Sequence, residues 1–375
     1  MNPSSRPPRS DDQRRSFPRA WLGVARWALL VLLGFELVIR VFVMRLPSHV
    51  YAEGWGVVPA PYSSSVQGRE GYGVLHYLEH GEIRTPYSVG VTVVVLGDST
   101  VQAAQVSDAD NFVSQTETFL RARGIQADLH NMGAADRTVA DHVFIAPAVN
   151  AKYAPEYVVV QVSLASFLHA YEDGRENYFK RTSQGGLELV HVAADEDALR
   201  FKNLVYSSGL LSFFDFRWQV ARQEFEVLKA REKKFKIDEN ADVAPPNLGD
   251  GADAALKDSL VFHETVLPLV RMIESAYPNS EVIFLVVPYT PDISYGSDQD
   301  VSWVSGSDVQ LALALENEAD VRVVYVQNEF RAMYRKLHVL PRGSFNSAFN
   351  FGHLNRYGHR AVALALVEAL EGLLK

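Results

Sequence analysis

The chain opens polar and then turns apolar within a few residues. Residues 1–20 are rich in Pro, Ser and Arg, with Arg6, Arg9, Arg14, Arg15 and Arg19, the pattern of a disordered basic tail. From Trp21 to Leu46 the run WLGVARWALLVLLGFELVIRVFVMRL is long and apolar enough to span a bilayer as one helix. Arg26, Glu36 and Arg40 interrupt it, and the i,i+4 spacing of Glu36 and Arg40 lets them pair on a helix. Met44, Arg45, Leu46 and Pro47 follow rather than a small-x-small cleavage site, so the segment reads as a single-pass signal anchor, not a cleaved signal peptide. A partly buried amphipathic helix is the blander alternative. The arginine excess before the segment assigns that end to the cytoplasm and residues 47–375 to the outside. The expected location is a bacterial inner membrane, with the larger domain periplasmic or extracellular.

Residues 47–90 carry Gly, Pro, Ser and Tyr without a sustained period and read as a membrane-proximal linker ending in irregular or hairpin structure. From residue 91, short apolar runs alternate with helical spacing. VTVVVLG (91–97), ADLHNMG (127–133), EYVVVQVS (156–163), SEVIFLVVP (280–288) and VRVVYVQ (321–327) predict strands. Residues 112–124, 138–153 (interrupted at Pro147), 256–276 and 356–374 predict helices. Strand–helix alternation of this kind implies an α/β fold with a doubly wound, mostly parallel five-stranded sheet, spanning residues 91–375. Residues 170–260 form an insertion, mixed and polar at first, then mainly helical over 200–237, then loop-like over 238–255. It either lies over the rim of the site, lies against the membrane, or adds core packing.

Composition narrows the chemistry. The 375 residues, 47% hydrophobic, suffice for one large domain with additions, and a net charge of −9 argues against nucleic acid as the main partner. The absence of cysteine excludes disulfides, cysteine metal sites and a thiol nucleophile. His76 and His80 are spaced like a metal pair but lack a helical pattern and a third ligand nearby, so they read as surface histidines. No metal or other cofactor is expected.

In an open α/β sheet, ligands bind beyond the C-terminal strand ends, where strand order reverses. The first predicted strand ends at Gly97-Asp98-Ser99, the second at Asn131-Met132-Gly133, and the third at Ser163-Leu164-Ala165-Ser166. FNFGHLNRYGH (349–359) precedes the last helix and holds Asn350, His353, Asn355 and His359. A serine opening a helix is more often an N-cap than a nucleophile. In chain order, however, GDS at 97–99, NMG at 131–133 and HLNRYGH at 353–359 resemble the blocks of the SGNH (GDSL-type) hydrolase family of serine esterases and acyltransferases.

That resemblance covers residues 91–169 and 280–375 and implies a flavodoxin-like fold of the SGNH type. It maps the nucleophile onto Ser99, the catalytic base onto His353 and an oxyanion-hole amide onto Gly133. The anchor followed by a linker and the GDS strand also resembles membrane-anchored bacterial members. Two positions depart from the pattern. Ala165 stands where the family has its oxyanion asparagine, which turns attention to Ser163 or Ser166 as a replacement donor. Asn350 stands where the family has its aspartate, and its carbonyl is expected to orient His353. The resemblance implies an ester hydrolase or O-acyltransferase acting on small-molecule or glycan esters, with acyl or acetyl groups of cell-envelope carbohydrate as candidates. The alternative is a catalytically degenerate module that binds a glycan or a membrane partner. A flavodoxin-like phosphate-binding domain is weaker, because no P-loop or Gly-x-Gly-x-x-Gly is present.

Overall fold

The computed structural model describes residues 12–87, 89–183, 185–215, 217–218, 262–288, 306–347 and 352–375. Asp12–Val38 forms helix α1, which continues as one π-helical turn through Ile39–Val43. Within this stretch Trp21–Val43 is the one helix among the described residues long and apolar enough to cross a membrane.

Five short strands follow: β1 (Met44–Arg45) at the end of the expected span, and β2 (His49–Ala52), β3 (Gly56–Pro59), β4 (Ser64–Gln67) and β5 (Gly73–His76) where the sequence pattern suggests a linker. β1, β4 and β5 make a small antiparallel sheet, and β2 pairs with β3. Strands of two to four residues are too short to display a period, so their alternation is invisible in the sequence. They are built into the larger domain. Trp55 and Val58 join its core, and the Ile83 amide donates to the Asn131 carbonyl at 2.8 Å.

The α/β body starts at β6 (Val91–Gly97), with α2 (Ser99–Gln102), α3 (Phe112–Ala122) and β7 (Ala127–Gly133) next. α4 (Val139–Tyr153) continues through Pro147, where an interruption is expected; the lost Pro N–H costs one internal hydrogen bond without ending the helix. Then come β8 (Tyr157–Val162) and α5 (Leu164–Leu168). The insertion contributes the antiparallel hairpin β9 (Asn177–Arg181) and β10 (Leu187–His191), α6 (Glu196–Tyr206) and a short helix α7 (209–215). The loop-like stretch 238–255 lies outside the described residues. A π-helical turn at Phe262–Val266 leads into α8 (Leu267–Ala276), followed by β11 (Glu281–Val286), α9 (Gly306–Glu318), β12 (Arg322–Tyr325), α10 (Gln327–Leu337) and α11 (Arg356–Leu374).

β6, β7, β8, β11 and β12 form one wholly parallel sheet in the order β7-β6-β8-β11-β12. Numbered as the sheet's own strands this is 2-1-3-4-5, the flavodoxin-like order expected. Alternation along each strand divides the core. Val94, Leu96, Val158, Val160 and Phe284 meet α4, α8 and α9 on one face. Val93, Val95, Val159, Ile283 and Leu285 meet α3, α10 and α11 on the other. Burial on both faces accounts for the near-continuous apolar strands. The order reverses between β6 and β8, and the C-terminal edge there holds Ser99.

Candidate active site

The buried run of β6 stops at Gly97, and the turn after it is fixed by hydrogen bonds. Asp98 caps α2, its Oδ1 accepting the Thr100 amide at 2.7 Å. The Asp98 amide donates to Gln161 Oε1 on the neighbouring strand β8 at 3.2 Å. Ser99 is thereby held as the first residue of α2, half-buried, with a backbone N–H that has no partner four residues back.

His353 reaches Ser99 from the segment before α11. Its Nε2 lies 3.0 Å from Ser99 Oγ, and its Nδ1 lies 2.8 Å from Glu70 Oε2. The other Glu70 oxygen accepts the His353 backbone amide. A carboxylate against Nδ1 fixes the proton on that nitrogen, leaving Nε2 bare to accept from the Ser99 hydroxyl. The neighbouring Gly352 is required twice. Its φ is +84°, and a Cβ there would lie 2.1 Å from Glu70 Oε1. Asn355 then caps α11, its Oδ1 accepting the amides of Tyr357 and Gly358 while its Nδ2 donates to the Leu340 carbonyl at 2.8 Å.

Glu70 stands in the Gly-rich turn between β4 and β5. That turn is fastened to the end of the apolar helix, because the Gly68 amide donates to the Val43 carbonyl at 2.7 Å and the Tyr72 hydroxyl to Val41 at 3.1 Å. Burial pushes the Glu70 carboxyl up, but the two hydrogen bonds from His353 and the charges of His353 and Arg342 outweigh it and hold the group below its ordinary value. Glu70 is therefore a carboxylate at neutral pH. The buried Arg342 donates to the carbonyls of Gly352 at 2.9 Å and Pro288 at 3.3 Å, tying the histidine segment to the end of β11.

The other residues singled out in the sequence take different places. Asn350 lies outside the described residues; the Nδ1 position assigned to it is filled by Glu70. Gly133 packs against α2, where a Cβ would lie 2.2 Å from the Gln102 amide nitrogen. Its own N–H donates to Asn131 Oδ1 at 3.0 Å, so the amide expected to face an oxyanion is already bonded. Asn131 Nδ2 donates in turn to the Val101 carbonyl at 3.0 Å, stapling β7 to α2. Ser163 and Ser166 cap α5 reciprocally. Ser163 Oγ accepts the Ser166 amide at 3.2 Å, and Ser166 Oγ donates to the Ser163 carbonyl at 2.7 Å, which spends the Ser166 proton within the turn. Ala165 is exposed on α5. His359 is buried against Phe112, and burial together with the charges of Arg342 and His353 lowers its pKa to about 3, so it is a neutral core residue. His76 bonds Asp108 at 2.5 Å and His80 stacks on Trp55 at 4.6 Å. Glu70 is the residue that sequence reasoning missed, and its only signal is an acid within the turn GREG.

No family model and no curated protein matches the chain. Similar solved structures include the psychrotrophic esterase EstA from a Pseudoalteromonas species, 12% identical over 76% of this chain and 98% of that one, with a TM-score of 0.35. A member of the lipolytic G-D-S-L family from Veillonella parvula is also 12% identical, covers 75% of this chain and 99% of its own, and has a TM-score of 0.38. The acetyl xylan esterase AlAXEase is 14% identical over 75% of this chain and all of that one, with a TM-score of 0.35.

Proposed function

We propose that the chain is a membrane-anchored serine ester hydrolase or O-acyltransferase of the SGNH type, with its α/β domain outside the cytoplasm. The observation that carries the reading is the unbroken relay from Ser99 Oγ through both ring nitrogens of His353 to Glu70. Ser99 attacks the acyl carbonyl carbon as His353 Nε2 takes its proton. Glu70 stabilises the imidazolium that forms, the role Asn350 is expected to fill only as a neutral acceptor. The tetrahedral oxyanion receives the Ser99 N–H, and the Gly133 N–H joins it only on leaving Asn131. The intermediate collapses with C–O cleavage, the alcohol leaves with the proton from His353, and an acyl-Ser99 ester remains. Water or an acceptor hydroxyl then attacks that ester, with His353 again as base.

The substrate is an acyl or acetyl ester of a small molecule or glycan. The apolar span Trp21–Val43 supports anchoring, and the basic tail before it supports the outward orientation of the domain. Incubation of the full-length protein with a fluorophosphonate probe is expected to label Ser99, with labelling and aryl-acetate hydrolysis both lost in Ser99→Ala. Absence of both in the unmodified protein would overturn an enzymatic role and leave the binding module.

A further inference from the structure

Glu36 lies within the apolar span, and its carboxylate is surrounded by donors from the insertion. The Ser208 hydroxyl donates to it at 3.0 Å, and the Gly209 and Leu210 amides at 2.8 Å each. Arg40 pairs with it from one turn along the same helix. Glu36 thus caps the N-terminus of α7. Gly209 sits so close that a Cβ would lie 2.9 Å from Arg40 Cγ. Next to it, α6 is fastened to β2 by reciprocal 2.7 Å bonds between Asn203 and the His49 backbone. The insertion is therefore locked against the span rather than swung away from it.

The depth of that contact follows from helix geometry. Glu36 is seven residues before the end of the span at Val43, about 10 Å along the axis at 1.5 Å per residue. A hydrocarbon layer about 30 Å thick across Trp21–Val43 therefore encloses the start of α7. The outward side of this segment suits that medium. Leu211, Phe214 and Trp218 follow an i, i+3, i+7 spacing and are 50%, 64% and 72% exposed. Phe201 and Leu204 of α6 are exposed as well.

We infer that residues 208–215, with Trp218 beyond them, are a second lipid-immersed segment, docked beside the membrane span through Glu36 and presenting Leu211, Phe214 and Trp218 to the acyl chains of the outer leaflet. The inference rests on the anchoring reading above. Its consequence is a two-point hold on the bilayer, which fixes the tilt of the α/β domain where a single helix would let it swivel.

The chain has no cysteine, so single ones can be introduced as probes. Phe214→Cys, Val31→Cys in the span and Lys180→Cys on β9 are each labelled with an environment-sensitive fluorophore in the full chain. The proteins are reconstituted in phosphatidylethanolamine/phosphatidylglycerol vesicles that carry lipids spin-labelled along the acyl chain. Quenching at positions 31 and 214, and not at 180, is the expected result. Quenching at 31 without 214 overturns the inference and leaves the anchor standing; quenching at neither removes the anchor and the inference with it. Adding Glu36→Leu is expected to abolish quenching at 214 while sparing 31. Persistence at 214 would overturn the role of Glu36 as the clamp.

Discussion

A single proton on His353 Nδ1 decides how the relay is read. It can serve one strong acceptor, and the Glu70 carboxylate accepts it, with Nδ1 and Oε2 2.8 Å apart, while also binding the backbone amide of the same residue. Glu70→Gln removes the charge that stabilises the imidazolium, and an Asp-to-Asn change in the serine-protease template costs about 10⁴ in kcat. A loss of about 10³–10⁴ in kcat for aryl-acetate hydrolysis is expected, with a small change in KM. Asn350→Ala is expected to leave kcat within a few-fold, and the reverse pattern would return the role to Asn350. Ser99 and His353 were legible in the sequence because each sits in a local run, GDS and HLNRYGH, in family order. Glu70 was not. It reaches His353 only through tertiary structure, across a turn whose residues have no period and no fixed spacing to either partner.

The element that delivers Glu70 is the turn between β4 and β5, and its position is set by the end of the apolar helix. A Cβ on Gly68 would lie 2.1 Å from the Phe42 carbonyl oxygen, a backbone atom that cannot rotate away. Gly68→Ala therefore pushes the turn off the helix end and draws Glu70 away from His353. Overpacking of this kind costs about 1–3 kcal/mol. At least a tenfold fall in kcat is expected, together with slower fluorophosphonate labelling of Ser99. Gly372→Ala in α11 is the control, since a Cβ there meets nothing within 4 Å; unchanged activity and a slightly higher Tm are expected. Elements of this size mark the boundary of what the pattern reveals. The parallel strands are apolar runs four to seven residues long between helices, and their order follows from strand–helix alternation. β2–β3 and β4–β5 pair locally but are only four residues long each, too short to show a period, so residues 47–90 look like a linker although they support the site.

At the scale of the whole molecule, one buried acid that the relay does not use ties stability to pH. Glu117 on α3 is 1% exposed, and its two oxygens accept the Tyr87 amide at 3.1 Å and the Leu129 amide at 3.2 Å. It joins the segment before β6, the helix layer and the edge strand β7. Burial outweighs these two hydrogen bonds and raises its pKa from 4.5 to about 7. Between those values the folded chain keeps a proton that the unfolded chain has released. At this group the folded state then binds more protons than the unfolded state, so its contribution to stability falls as pH rises from 4.5 to about 7 and levels off above. Glu117→Gln removes that titration while keeping one acceptor, at a baseline cost of about 1 kcal/mol for the weakened hydrogen bonding. Thermal unfolding of both proteins from pH 4 to 8 is therefore expected to show the Tm of the variant gaining on the unmodified protein across this window. A difference in Tm independent of pH would mean that Glu117 ionises as freely in the folded chain as in the unfolded one, and that its two amide bonds just offset its burial.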